Sequence, residues 1–316
     1  MIGGQALIEG IMMLGPDKKS IVIRRPDGEL EVKTEPRKLL KDRFPMAGWP
    51  LIRGVVNFLS SNVTGVKALM YSAEFYPEEG EDEKDEEPSK FEKWLDEKLG
   101  SEKLTTLVVT LSVVLGLCMS IGLFFFLPTL LGGFVSTLAP GNMLVRNLSE
   151  SLLKIVIFIA YLALCSKTKD IHRVFQYHGA EHKTIFCYEA GFPLTVDNVR
   201  PQPRHHPRCG TSFLFVVIIV SILSSTVVFS IWPVYNTLLR FLAHLLMLPL
   251  IVAVSYEFNR WVGGHDNALS RFLSAPGLWM QNFTTFEPDD SMMEVGIRAL
   301  TEVLPEKQGT DAWEKN

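Results

Sequence analysis

The sequence predicts a mainly α membrane protein with about four transmembrane helices, a small N-terminal β-rich piece, a cytoplasmic His-containing helix-loop and a C-terminal amphipathic helix. Three observations carry this. Apolar residues make up 47% of the 316-residue chain and mean hydropathy is +0.18, above what a soluble enzyme of mixed composition shows. Uncharged apolar runs recur at lengths that cross a bilayer. Lysine and arginine are concentrated in alternate connections between those runs.

Residues 1–48 read as a β-rich cytoplasmic piece. Lys19–Arg25 is strand-like, Pro26-Asp27-Gly28 is a turn signal, and Glu29–Thr34 alternates polar and apolar. Ala6–Met13 is apolar enough to pair with them, and its carboxylate, Glu9, reads as a sheet-edge charge facing water. Met1–Gln5 has no basic n-region and no apolar core, unlike a cleaved signal peptide.

Residues 49–75 hold an amphipathic helix. Leu51, Val55, Leu59, Val63, Val66 and Met70 recur at three- and four-residue steps, opposite Arg53, Asn57, Ser60, Ser61, Thr64 and Lys67. It suits the membrane interface or the flank of the membrane body, and equally the core of a soluble subdomain. Residues 76–103 form an acidic linker and lead-in helix. Glu78–Glu87 contains eight acids and one lysine, too self-repelling to bury a core. Phe91–Leu95 starts the lead-in helix.

Residues 104–256 make the four-helix membrane body. Leu104–Leu127 is a 24-residue uncharged run ending at Pro128. At about 1.5 Å per residue it spans a bilayer core of about 30 Å. Leu152–Cys165 spans if the helix starts near Asn147 and Lys154 snorkels to the surface. Phe213–Trp232 is the third span, and Leu238–Tyr256 the fourth, with Arg240 and His244 near its start, His244 facing the bundle, and Pro249 as a kink. So few intramembrane charges count against ion-coupled transport.

Lys90, Lys93, Lys98 and Lys103 precede the first span; Lys167, Lys169, Arg173, Lys183, Arg200, Arg204 and Arg208 separate the second from the third; Arg260 and Arg271 follow the fourth. The other two connections carry little beyond Arg146 and Arg240. Both termini and the 166–211 loop are therefore expected in the cytoplasm. The dispersed cysteines, Cys118, Cys165, Cys187 and Cys209, fit that reducing compartment. Net charge is −4, so no basic balance points to nucleic acid. The bilayer is the expected partner, and Arg200, Arg204 and Arg208 could add anionic lipid headgroups or act only as topology determinants.

Residues 257–305 form a cytoplasmic C-terminal segment. Asp266–Phe272 reads as a connector and Pro276–Gln281 as a membrane–water boundary piece. Glu287-Pro288-Asp289-Asp290 opens a helix that buries Met292, Val295, Ala299, Leu300 and Val303. The tail, 306–316, reads as disordered.

The chemistry concentrates in Tyr177–Lys183, which contains His-x-x-Glu-His. On a helix continuing from the second span until Gly191 and Pro193 end it, His178 and His182 share one face and could hold one divalent ion, zinc by the reversed zincin pattern. Glu181 would take a proton from water held by that ion. Helical Gly179 implies that something approaches closely. His206 and Cys209 complete the metal-binding set, although Glu189 and Glu257 also compete for the third ligand position. If both His206 and Cys209 bind, the site closes and becomes structural. A solvated helical face is the alternative to any metal.

Gly3–Met13, Tyr177–Thr184, His206–Phe213, Pro276–Trp279 and Glu287–Asp290 together resemble the bacterial YqhQ family, over nearly the whole chain. The resemblance implies a multi-pass inner-membrane protein of unknown function, a predicted metal-dependent enzyme. Leu14 and Phe286 stand where that family often has arginine. The expected function is thus a metal-dependent hydrolase acting on a membrane-associated peptide or lipid-linked substrate. The competing expectations are a non-enzymatic membrane subunit with a structural His/Cys loop, and a lipid or small-solute transporter.

Overall fold

The computed structural model describes residues 2–76, 101–138, 140–265 and 267–305. The acidic run Glu78–Glu87, the lead-in helix at Phe91–Leu95, the basic residues Lys90, Lys93 and Lys98, and the tail 306–316 lie outside the described residues.

Four strands, β1 (Gly3–Leu7), β2 (Gly10–Leu14), β3 (Lys18–Arg24) and β4 (Leu30–Pro36), form an antiparallel meander in the order β1-β2-β3-β4. Gly28 supplies the positive φ of +88° that the β3–β4 turn needs. Glu9 sits in the tight β1–β2 turn at φ +48°. It does not face water as expected: its carboxylate binds Arg173 and accepts from the Tyr177 hydroxyl at 3.0 Å. A guanidinium and a phenol within reach compete successfully with solvent and fasten the sheet to the histidine helix.

Helix α1 (Ile52–Ala73) packs through small residues, Gly54, Gly65, Ala68 and Ser72. A Cβ on Gly54 would meet Tyr256 at 2.9 Å, and one on Gly65 would meet the Gln5 amide at 2.2 Å. The apolar stripe is not the packing face. Leu59 and Val63 are 58% and 56% exposed, so this side is not the buried face of a soluble core.

Among the described residues, four helical stretches are long and apolar enough to cross a membrane: Thr110–Leu138, Met143–Cys165, Gly210–Ile231 and Thr237–Gly263. Pro128 does not end the first. Helix α2 (Ser101–Ile121) runs through a π-helical turn at Gly122–Phe126 into α3 (Leu127–Val135), with Pro128 in the first turn of α3. There its missing N–H is tolerated, and the wide turn before it absorbs the break in the i→i−4 ladder. The other spans are α4 (Met143–Cys165), α6 (Gly210–Ile231) and α7 (Thr237–Gly263), which keeps Pro249 inside it. Lys154 does not snorkel. It is 6% exposed and its Nζ lies 3.4 Å from His244 Nδ1. Arg146, Glu150 and Arg240 are buried with it, on the same two helices.

Helix α5 (Lys169–Glu189) is a separate helix, not a continuation of α4. Ser166 and Thr168 turn their hydroxyls back onto the Ala163 and Cys165 carbonyls and break the run. Gly191, at φ +74°, ends α5: Gly191 N–H donates to Tyr188 O and Phe192 N–H to Cys187 O, a Schellman closure. Residues 268–280 form α8 (Ala268–Met280) rather than a connector, because Asn267 and Ser270 build a reciprocal capping box at its start. Helix α9 (Asp290–Val303) is capped by Asp289, which accepts from Met292 N–H at 3.0 Å. Its expected face packs with Ile11, Met13 and Val22 of the sheet and Tyr177, Ala180 and Ile185 of α5 in one core.

The chain divides into two compact units. One comprises 1–76, 159–224 and 247–316 and contains the sheet, α1, α5, α8 and α9. The other comprises 77–158 and 225–246 and contains the buried charges of α4 and α7.

Candidate metal centre

Helix α5 places His178, Glu181 and His182 on one side, as their spacing requires. His178 Nδ1 lies 2.7 Å from Thr284 O, and His182 Nδ1 lies 2.6 Å from Arg204 O. A carbonyl only accepts, so in both rings Nδ1 carries a proton and Nε2 is the nitrogen turned to the site. Metal-binding histidines are oriented by this same outer contact.

The third member arrives from the loop before α6. Cys209 Sγ lies 3.2 Å from His178 Nε2 and 3.4 Å from Thr211 N–H at the helix N-terminus. Ligand atoms of His178, His182 and Cys209 all fall within 4.8 Å of one another, and among the described residues no other such trio occurs. A tetrahedral zinc with Zn–N of about 2.0 Å and Zn–S of about 2.3 Å would set neighbouring ligands about 3.5 Å apart. The donor set fits the ion, with one position left over.

Electrostatics point the same way. Burial pushes the Cys209 thiol up, but His178 and His182 outweigh it and hold the group well below the usual thiol range. Burial pulls His178 down, and the Cys209 thiolate reverses this and pushes it up to about 9. His182 is lowered by burial and by the charge on His178. These shifts favour a thiolate on Cys209 beside a protonated His178, and a bound cation would compete with that proton.

Glu181 is buried, and its Oε2 has no hydrogen-bond partner. Burial pushes its carboxyl up to about 7, against the attraction of His178. Its Oε1 sits over Gly4 of β1, where a Cβ would fall 2.9 Å from it. A Cβ at Gly4 would also fall 2.8 Å from Met12 O, so glycine leaves room there for both the neighbouring strand and this carboxylate. Gly179 has the same role toward another strand of chain: a Cβ there would lie 2.0 Å from Phe286 O.

His206 is not in the trio. Its Nδ1 accepts from Arg208 N–H at 3.3 Å, its Nε2 lies 3.6 Å from Glu189, and its ring centroid is 5.6 Å from that of His182. Its backbone is clamped by Gln281, which accepts from His206 N–H and donates to His206 O, both at 2.8 Å. Glu189 is taken by Arg208 and His206. Glu257 is paired with Arg53 at 2.5 Å and caps Leu51 N–H. Arg200 is paired with Asp197 and Asp290. A cavity of about 410 Å³ is lined by Phe186, Glu189, His205, His206, Arg208 and Leu278 among others, and none of the trio lines it.

The Thr284 and Arg204 carbonyls, Gly4, Gln281 and the Lys183–Glu287 pair escape a reading by residue type. Backbone carbonyls leave no mark in sequence. Gly4 and Gln281 do sit within or beside the stretches that resemble a known family.

The family model described as "Protein of unknown function (DUF1385)" matches residues 49–306. The chain is 34% identical over 303 residues to "Uncharacterized protein YqhQ" of Bacillus subtilis (strain 168), covering 96% of this chain and 92% of that protein. No solved structure matches. A match over most of the length to both leads to one conclusion: this membrane protein belongs to the DUF1385 family, alongside YqhQ.

Proposed function

We propose that this chain is a multi-pass inner-membrane protein with a divalent-metal site, zinc by its donor set, formed by His178, His182 and Cys209 and used for hydrolysis of a membrane-associated substrate. The pairing of both Nδ1 atoms with backbone carbonyls carries the reading, because it aims two lone pairs and a thiolate at one point. The lysine and arginine distribution supports a cytoplasmic position for the site and for both termini.

When bound, the ion would supply Lewis acidity and lower the pKa of water it holds. The chain's residues do the rest. The trio leaves one ligand position for water or substrate. Glu181 accepts the proton at its unpartnered Oε2 and returns it to the leaving group. Its pKa near 7 matches that exchange at neutral pH. His206 keeps the Cys209 loop in register through Gln281 and Glu189.

Metal analysis of detergent-purified protein, prepared without chelators, tests the site. Near-stoichiometric metal in wild type is expected to be lost in His178→Ala, His182→Ala and Cys209→Ala and kept in His206→Ala. Absence of metal from wild type would overturn the reading. Glu181→Gln then separates chemistry from structure: metal kept with complementation lost supports hydrolysis, and full function refutes it.

A further inference from the structure

The second compact unit holds a cluster of charged side chains inside the apolar spans. Arg146, Glu150 and Lys154 lie one turn apart on α4, with Arg240 and His244 on α7. All five are 6% exposed or less. Ionisable groups at such depth are costly and mark a site by default.

Two guanidiniums and an imidazole face one carboxylate. Glu150 Oε1 receives Arg146 Nε at 3.2 Å and Arg240 Nε at 2.8 Å, and its Oε2 lies 3.5 Å from His244 Nε2. Its capacity is used. Arg146 also donates from Nη1 to Tyr235 O at 2.6 Å and from Nη2 to Thr237 Oγ1 at 3.3 Å. Arg240 gives Nη2 to Asn147 Oδ1 at 2.5 Å and lies over the Phe229 ring at 3.9 Å, but its Nη1 is buried with no partner. Lys154 meets only the neutral acceptor of His244, at 3.4 Å. Gly132 of α3 closes the carboxylate side, since a Cβ there would fall 2.3 Å from Glu150 Cγ.

This is a surplus of positive charge with unspent donors, held in a low-dielectric setting where an uncompensated charge is costly. We propose that this intramembrane cluster binds a small inorganic anion of the halide class, held by Arg240 Nη1 and the Lys154 ammonium. A monatomic anion suits the few free donors; a tetrahedral oxyanion would leave most of its acceptors bare. The Glu150 carboxylate sets the position of Arg240 and offsets one of the cluster's cationic charges, and the anion would offset a second.

The test uses full-length protein in detergent at constant ionic strength, with gluconate replaced stepwise by chloride. Unfolding temperature is expected to rise with the logarithm of chloride above its dissociation constant. Bromide should be retained at about one per chain through desalting. Lys154→Met and Arg240→Lys are expected to lose both responses, and the peripheral variant Arg53→Gln to keep them. If Arg240→Lys does not fold, Lys154→Met carries the test alone. Equal melting in chloride and gluconate with no retained bromide overturns the proposal. A response to phosphate without one to chloride overturns the halide assignment.

Discussion

Replacing Gly179 by alanine sets two opposing effects against each other, and the structure decides the sign. Gly179 lies inside α5, where alanine favours the helix by about 1 kcal/mol. Its new Cβ, however, would stand 2.0 Å from Phe286 O and 3.3 Å from Pro288 Cδ. Ordinary carbon–oxygen contact needs a retreat of more than ~1 Å. Phe286 cannot retreat freely, since its N–H donates to Phe175 O at 2.9 Å and its ring stacks on His172 at 4.2 Å. The same segment presents Thr284 O to His178. Overpacking costs about 1–3 kcal/mol, and the two hydrogen bonds about 1 kcal/mol each. After the helix gain, Gly179→Ala should destabilise by about 2–4 kcal/mol. Thermal unfolding in detergent should show a Tm lower by several degrees, and metal content should fall as His178 loses its outer partner. A variant as stable as wild type or more so, with full metal, would refute both the close approach and its coupling to the site.

Two further outcomes are expected. In metal-free protein, Glu181 has its pKa raised to about 7 from an ordinary 4.5, so the folded state holds a proton that the unfolded chain releases between those values. Stability should therefore fall as pH rises from 4.5 to 7, by on the order of 3 kcal/mol; Glu181→Gln should flatten that part of the profile, and an unchanged slope would remove Glu181 as its source. Glu257→Gln and Glu189→Gln should keep stoichiometric metal, because Arg53 and Arg208 occupy these carboxylates; loss of metal in either would place a carboxylate in the ligand set.

Much of this protein was legible from local pattern. Uncharged apolar runs marked the spans, Gly28 and Gly191 marked a turn and a helix end, and the spacing of His178 and His182 put two imidazoles on one face. These features depend on residues a few positions apart, where backbone periodicity fixes geometry. Contacts across long separations had to await the tertiary structure. It set Cys209 beside His178 and left His206 to Glu189, though both precede α6 by only a few residues. It turned Glu9 from solvent toward Arg173 and Tyr177. It also kept Lys154 inside the bundle, where the His244 ring offers the partner that a snorkelling side chain would have sought in water. For a charged side chain near an apolar run, sequence states the cost of burial, while the fold supplies the neighbours that decide whether that cost is met.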